Sequence, residues 1–456
     1  RPVPHPAAGS RDGRDGYGGK DEVAAAADAA ARAFRAWSEL PGRARADILL
    51  HAGSLLAERA AEIGQVLARE AGKRLPEAIG EVRFAAEYFR WFAEEVRRPS
   101  GAVHPNEDPA RRHVSIRRPC GVVASLTPWN FPVSIQARKL APALAAGCTV
   151  VARPSEKAPL GVVEMVRCLH EAGLPAGVLN LVHGPAAELT DTLLAHPAVR
   201  VVSFTGSTEV GRSIMKLAAA RVVRPLLELG GDAPFMVFED ADLDAAVDGA
   251  MLAKFRNGGQ SCIAANRFLV HVAVYEEFVE RFTARIDAMT IGYGLADPVP
   301  DLTPLIDQAR VREVTAMVDE ALAAGAHRTT REFTLPENGS YMAPALLTDV
   351  PDGTGLTCAE VFGPAAGVFR FHDEQEALRR ANATEMGLAG YFYTRDVSRV
   401  WRLAERLDVG IVGVNEALPS AVLAPMGGVK QSGLGREGAA LGLEEFEDVR
   451  YLSFGV

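Results

Sequence analysis

Two glycine-rich runs hold side chains that could do chemistry. The first, Asn257-Gly258-Gly259-Gln260-Ser261-Cys262, ends in a cysteine, and Glu228-Leu229-Gly230-Gly231 precedes it in the chain. A cysteine with little Cβ crowding around it is open to an incoming carbonyl from a defined direction, which makes Cys262 a candidate nucleophile. The plain alternative is a small buried hydrophobe, the fate of most free cysteines. A third run, Phe204-Thr205-Gly206-Ser207-Thr208-Glu209-Val210-Gly211, stands where an apolar strand gives way to a helix. Free N–H groups and the positive end of a helix dipole can hold a pyrophosphate there. It lacks the GxGxxG fingerprint, so an ordinary tight turn stays open. Gly206 to Ser213 also reads GxxxxGRS, close to a nucleotide-triphosphate loop. Arg212, however, stands where that chemistry needs a lysine point charge.

The segments "ELGGDAPF", "NGGQSC" and "TPWNFP" together resemble the signatures of the NAD(P)-dependent aldehyde dehydrogenases, and the resemblance runs from about Ala24 to the C-terminus. It implies that Cys262 attacks an aldehyde to form a thiohemiacetal. The Asn130 amide and the Cys262 backbone N–H would make the oxyanion hole, and Glu228 would activate the water that hydrolyses the resulting thioester. Relatives that pass the acyl group to coenzyme A usually lack that glutamate. No metal takes part in this chemistry. The implied cofactor is NAD, with NADP possible, and the implied cofactor residues are Thr127, Trp129, Arg153, Ser155, Glu156, Gly206, Ser207, Leu229, Glu360 and Phe362. A carboxylate at Glu156 would bind the adenosine ribose and repel a 2′-phosphate. Arg153, standing where the family usually has lysine, would help to accommodate one.

Within the family, "KFRNGGQSCIAANR", "ANATEMGLAGYFYTRD" and "APMGGVKQSGLGREG" look most like the succinate-semialdehyde dehydrogenases. That likeness implies that Arg138, Arg256 and Ser420 hold the distal carboxylate of succinate semialdehyde or of a close ω-carboxy aldehyde such as glutarate semialdehyde. Solvated surface arginines are the ordinary alternative. They would leave an enzyme for neutral or aromatic aldehydes, or a nucleotide-binding protein without turnover. Many members carry a second cysteine two residues after the nucleophile. Here that position is Ala264, so no local disulfide switch is expected.

These residues need a scaffold, and 456 residues suffice for two or three domains. Apolar content of 48% and charged content of 23% fit a globular protein, and a net charge of -9 argues against nucleic acid or an anionic membrane surface as partner. Five widely spaced cysteines without CxxC pairs suggest neither a disulfide framework nor a metal site, and so a reducing, cytoplasmic setting. Residues 1–20 read as an extended surface arm, and Asp21 to Arg98 as helices broken at Pro41-Gly42 and Gly72. Pro99 to Pro109 punctuates the chain, and His113 to Arg118 reads as one arm of an exposed hairpin.

From Gly121 onward, strand and helix patterns alternate, which means an α/β fold built on parallel sheets covered on both faces. With the resemblance, the expected division is an NAD(P)-binding Rossmann-type domain (1–101 and 119–230), a catalytic α/β domain (231–434) and a bridging element (102–118 and 435–456). That bridging element implies a homo-oligomer, a dimer or a tetramer.

Overall fold

Apolar runs bounded by glycine and polar residues become the buried strands. The computed structural model describes residues 2–7, 11–14, 16–98 and 100–456. Short strands β1 (Pro2–Pro4) and β2 (Arg11–Arg14) pair antiparallel, followed by four helices: α1 (Lys20–Glu39), α2 (Gly42–Glu58), α3 (Ala60–Ala71) and α4 (Leu75–Glu95). β3 (Gly101–His104) and β4 (Arg111–Pro119) form a hairpin. The alternating series is then β5 (Val122–Leu126), α5 (Pro132–Ala146), β6 (Thr149–Arg153), α6 (Leu160–Glu171), β7 (Leu179–Leu181), α7 (Ala186–Ala195), β8 (Val199–Thr205), α8 (Thr208–Ala219) and β9 (Arg224–Glu228). These strands pair in parallel in the order β9-β8-β5-β6-β7. The chain departs from β5 first to one side and then to the other, so the crevice at the carboxyl ends of β5 and β8 is the switch point where such sheets bind ligands.

The second sheet starts directly after the Leu229–Asp232 crossing. Its elements are β10 (Ala233–Val237), α9 (Leu243–Phe255), β11 (Ala265–His271), α10 (Tyr275–Asp287), α11 (Gln308–Ala323), β12 (His327–Arg328), β13 (Ala345–Thr348), α12 (Gly355–Cys358), β14 (Ala365–Phe371), α13 (Glu374–Asn382), β15 (Ala389–Tyr393), α14 (Val397–Ala404) and β16 (Ile411–Val414). The order is β12-β13-β14-β11-β10-β15-β16, parallel except for β12. The chain then returns to the first sheet: β17 (Gly433–Leu434) pairs antiparallel with β9, α15 (Ala439–Glu444) follows, and β18 (Glu447–Gly455) lies antiparallel along β4.

Helices α2 and α4 pack on α5, and α3 on α4 and α6, while α1 lies along β6 and α7; Trp37, Leu49, Phe89 and Phe92 are buried in one core with Leu140 and Val150. Each such aromatic contributes about 1.5–3 kcal/mol by leaving water. The Phe84, Tyr88, Phe89, Trp91 and Phe92 cluster packs into this core, as its helical spacing predicts. Two expectations need correction. The helical stretch breaks at Arg59 as well, because the backbone there turns to φ -91 and ψ 11 between α2 and α3. The N-terminal arm does not simply lie on the surface: Val3 is 1% exposed, and the Ser340 N–H donates to the Pro6 carbonyl at 2.9 Å. Residues 1, 8–10, 15 and Pro99, which those readings also covered, lie outside the described residues. Among the described residues no helix is long and apolar enough to cross a membrane.

Candidate active site

The two glycine runs meet because their main chains touch. A Cβ on Gly231 would stand 2.1 Å from the Cys262 carbonyl oxygen, and one on Gly259, whose φ is +76°, would stand 2.3 Å from that of Gly363. Only glycine fits either place without moving backbone. The Glu228–Gly231 turn is pinned by Ser432. Its hydroxyl donates to the Gly230 carbonyl at 2.6 Å, and its carbonyl accepts from the Leu229 N–H at 2.9 Å. Asn257, in the left-handed region at φ 53, starts the turn that presents Cys262.

A cavity of about 330 Å³ opens at the switch point, lined by Trp129, Asn130, Gly206, Ser207, Leu229, Cys262, Glu360 and Phe362 together with Pro128, Thr205, Gly230 and Arg310. Eight of the residues expected from sequence are thus brought together. Trp129 meets Phe362 edge-on, with ring centroids 5.4 Å apart. Glu360 accepts from the Gly231 N–H at 3.2 Å. The Asn130 amide nitrogen donates to the Gln260 carbonyl at 3.1 Å, while its Oδ1 and the Thr205 hydroxyl are buried without hydrogen-bond partners among the described residues. Ser207 caps α8 by accepting from the Val210 N–H, which leaves the positive end of that helix at the cavity wall. Unspent polar atoms, a helix N-terminus and an aromatic pair together fit a dinucleotide.

Four other expected cofactor residues stand at or just after the ends of β5 and β6, outside the cavity lining. The Thr127 hydroxyl donates inward to Gln136 Oε1 at 2.7 Å. The Ser155 hydroxyl accepts from the Lys157 N–H at 3.3 Å. Arg153 Nη2 pairs with Glu156 Oε2 at 2.5 Å and donates to the Gly184 carbonyl at 3.1 Å. The two residues expected to pull cofactor preference in opposite directions are therefore bound to each other.

Electrostatics separate the two reactive groups. Burial, reinforced by the Glu228 and Glu360 carboxylates, pushes the Cys262 thiol up to about 12. Glu228 is 1% exposed, and neither of its carboxylate oxygens has a hydrogen-bond partner among the described residues. Burial and the Glu437 charge raise it to about 7, against the pull of Arg138 and Lys139. Glu437 itself is buried, yet the Lys139 and Arg138 cations hold it below the usual carboxylate range. Arg138 Nε lies 2.7 Å from Glu437 Oε2, and Lys139 Nζ lies 2.5 Å from Oε1.

Sequence reasoning missed Lys139, Glu437 and Arg310. A signal existed for the first: Arg138 and Lys139 are two charges in "PVSIQARKLAPALAA", which forms a helix buried along its whole length and so must find partners. The remaining expected substrate residues lie apart from the cavity lining. Arg256 stacks its guanidinium 4.6 Å from the Phe131 ring centroid and has no ion-pair partner among the described residues. Ser420 is half-buried on the loop between β16 and β17.

The sequence model of the aldehyde dehydrogenase family matches residues 2–452. The chain is 43% identical over 454 residues to succinate-semialdehyde dehydrogenase [NADP(+)] of Escherichia coli, covering 100% of this chain and 94% of that protein. Identity and coverage are the same for glutarate-semialdehyde dehydrogenase of Pseudomonas putida. The crystal structure of succinate-semialdehyde dehydrogenase from Burkholderia pseudomallei superposes with a TM-score of 0.98 at 43% identity, over 100% of this chain and 94% of that one.

Proposed function

The chain belongs to the aldehyde dehydrogenase family and is an NAD(P)-dependent enzyme, and we propose that it oxidises succinate semialdehyde, or a close ω-carboxy aldehyde such as glutarate semialdehyde, to the acid. The observation that carries this reading is the meeting of Cys262 and Asn130 with Glu360, Phe362, Gly206 and Ser207 around one cavity. The Cys262 thiol passes its proton to water, and Sγ as thiolate bonds the aldehyde carbon while the C=O π pair moves onto oxygen, which accepts from Asn130 Nδ2 and the Cys262 N–H. The Asn130 amide has two N–H groups, so one stays on the Gln260 carbonyl while the other donates to this oxygen. NAD(P), held by residues of this cavity and of the β6–α6 loop, supplies the hydride acceptor when bound. A thioester then stands on Cys262. Glu228, poised near neutrality, takes a proton from the water that attacks it. The C–S bond breaks and the acid leaves.

Arg256 supports an anionic substrate, because a half-buried guanidinium without a carboxylate partner among the described residues is a cation still to be used. Arg138 and Ser420 complete the proposed anchor, with Arg138 shared with Glu437. Relatives that act on succinate semialdehyde and glutarate semialdehyde agree with a short chain ending in a carboxylate. The Arg153–Glu156 pair compensates the charge that would repel a 2′-phosphate, so we read the adenosine subsite as accepting NAD and NADP alike. The proposed domain division is that expected from sequence. Val449, Tyr451 and Phe454, exposed on β18, support a homo-oligomer joined through the bridging element. Five free thiols support a cytoplasmic setting.

The test is absorbance at 340 nm with succinate semialdehyde, glutarate semialdehyde, and neutral and aromatic aldehydes, each with NAD and with NADP. Higher kcat/KM for the ω-carboxy aldehydes is expected. Equal or better turnover of neutral or aromatic aldehydes would overturn the substrate assignment.

A further inference from the structure

Lys73 is 1% exposed and Glu81 is 4% exposed, and the Lys73 ammonium lies 2.6 Å from Glu81 Oε2. Neither belongs to the chemistry derived above. An ion pair this deep is a poor stabilising device, since well-packed apolar residues in its place are often as stable or more so. What distinguishes the pair is where its remaining bonds go. Lys73 Nζ also donates to the main-chain carbonyl of Asn130 at 2.8 Å, and Asn257 Nδ2 donates to the same oxygen at 3.0 Å. Glu81 Oε1 accepts from the Val133 and Ser134 N–H groups at 3.0 and 3.2 Å. Those are first-turn donors of α5, a helix that starts with Pro132 and has no side-chain cap of its own. The ammonium further lies 4.5 Å from the Phe131 ring centroid, the ring on which Arg256 also stacks. One buried pair therefore holds three consecutive pieces of the site: the Asn130 carbonyl, the Phe131 ring and the start of the helix that bears Arg138.

We propose that Lys73, itself held by Glu81, is a positioning residue for the oxyanion amide, fixing the Asn130 main chain so that Nδ2 is aimed before the aldehyde arrives. The inference rests on the reading of Asn130 as oxyanion donor. A donor acts only if it stands where the charge develops, and a misplacement of about 1 Å costs on the order of 100-fold in rate.

The test uses full-length enzyme in excess over succinate semialdehyde at saturating cofactor. Formation of reduced cofactor then reads thiohemiacetal formation and hydride loss, without thioester hydrolysis. Cofactor stoichiometry and affinity are followed by fluorescence titration. Lys73→Met, and the neutral pair Lys73→Met with Glu81→Gln, are expected to slow this single turnover roughly 10- to 100-fold while binding cofactor as the parent does. Lys73→Arg, which keeps a donating cation, is expected to recover part of the rate. A parent-like rate in the folded neutral pair overturns the inference. So does loss of cofactor binding in step with rate, or failure of all three variants to fold, because either marks a merely structural role. Asn130→Ala separates the two layers. A parent-like rate in that variant sinks the oxyanion reading itself, whereas a slow Asn130→Ala beside fast Lys73 variants sinks only the positioning role.

Discussion

Replacing Arg256 by Gln should damage turnover of one class of aldehyde and spare another. Arg256 stacks on Phe131 with no carboxylate partner among the described residues, so its charge is available to a bound anion. Hydrogen bonds to a charged group contribute about 1.5–3 kcal/mol, which at about 1.4 kcal/mol per decade is roughly a 10- to 150-fold loss of kcat/KM for succinate semialdehyde. A neutral aldehyde of the same length never made that contact, so its loss should stay within about threefold. Arg138→Gln should behave differently, because Arg138 also lies 2.7 Å from Glu437. Removing it leaves Glu437 with Lys139 as its remaining cation and takes away one of the charges that lower Glu228, so neutral and charged aldehydes should both suffer. The assay is steady-state absorbance at 340 nm with matched charged and neutral aldehydes for parent and both variants. Equal losses on both substrates in Arg256→Gln would refute the anchor, and the substrate assignment would fall with it.

Three further outcomes follow from the site. Cys262→Ala should abolish oxidation yet leave cofactor binding by fluorescence titration unchanged, and residual turnover near the parent rate would remove Cys262 from the mechanism. Glu228 must be deprotonated to act and is held near 7, so thioester hydrolysis should fall about tenfold per unit as pH drops below that value and level off above about 8. A steady-state profile flat down to pH 5 would contradict this. Glu156→Gln should release Arg153 toward a 2′-phosphate and raise the NADP-to-NAD ratio of kcat/KM by about tenfold, roughly 1.4 kcal/mol. An unchanged ratio would mean that the Arg153–Glu156 pair lies outside the adenosine subsite.

Much of the framework was legible because it is written locally. The alternation of strand and helix expected from Gly121 onward is observed, since helices such as α6, α8 and α9 each begin just after a turn or capping residue and their strand neighbours are unbroken apolar runs. The Cys262 and Glu228 turns could be read for the same reason, as clusters of glycine demand close backbone approach. What could not be read is written across distance. Glu437 reaches Lys139 over 298 positions, and Lys73 reaches the Asn130 carbonyl over 57. In a one-dimensional pattern Glu437 and Lys73 are ordinary surface charges. Burial alone turns them into partners. Val3 escaped for a similar reason, because a short segment without periodicity gives no sign of the surface that will cover it.

The order of synthesis gives the late pairing of β17 a consequence for the growing chain. Strands β5 to β9 are complete long before translation ends, yet the free side of β9, the strand that ends in Glu228, waits for Gly433 and Leu434, and β4 waits for the final strand. A nascent chain at that stage carries a nearly finished sheet with an open rim of N–H and C=O groups, a template for pairing with another chain. A stop codon in place of Gly433 would delete few core side chains and leave both rims bare. Its product would be lost to aggregation or proteolysis before it could accumulate as a folded but inactive enzyme.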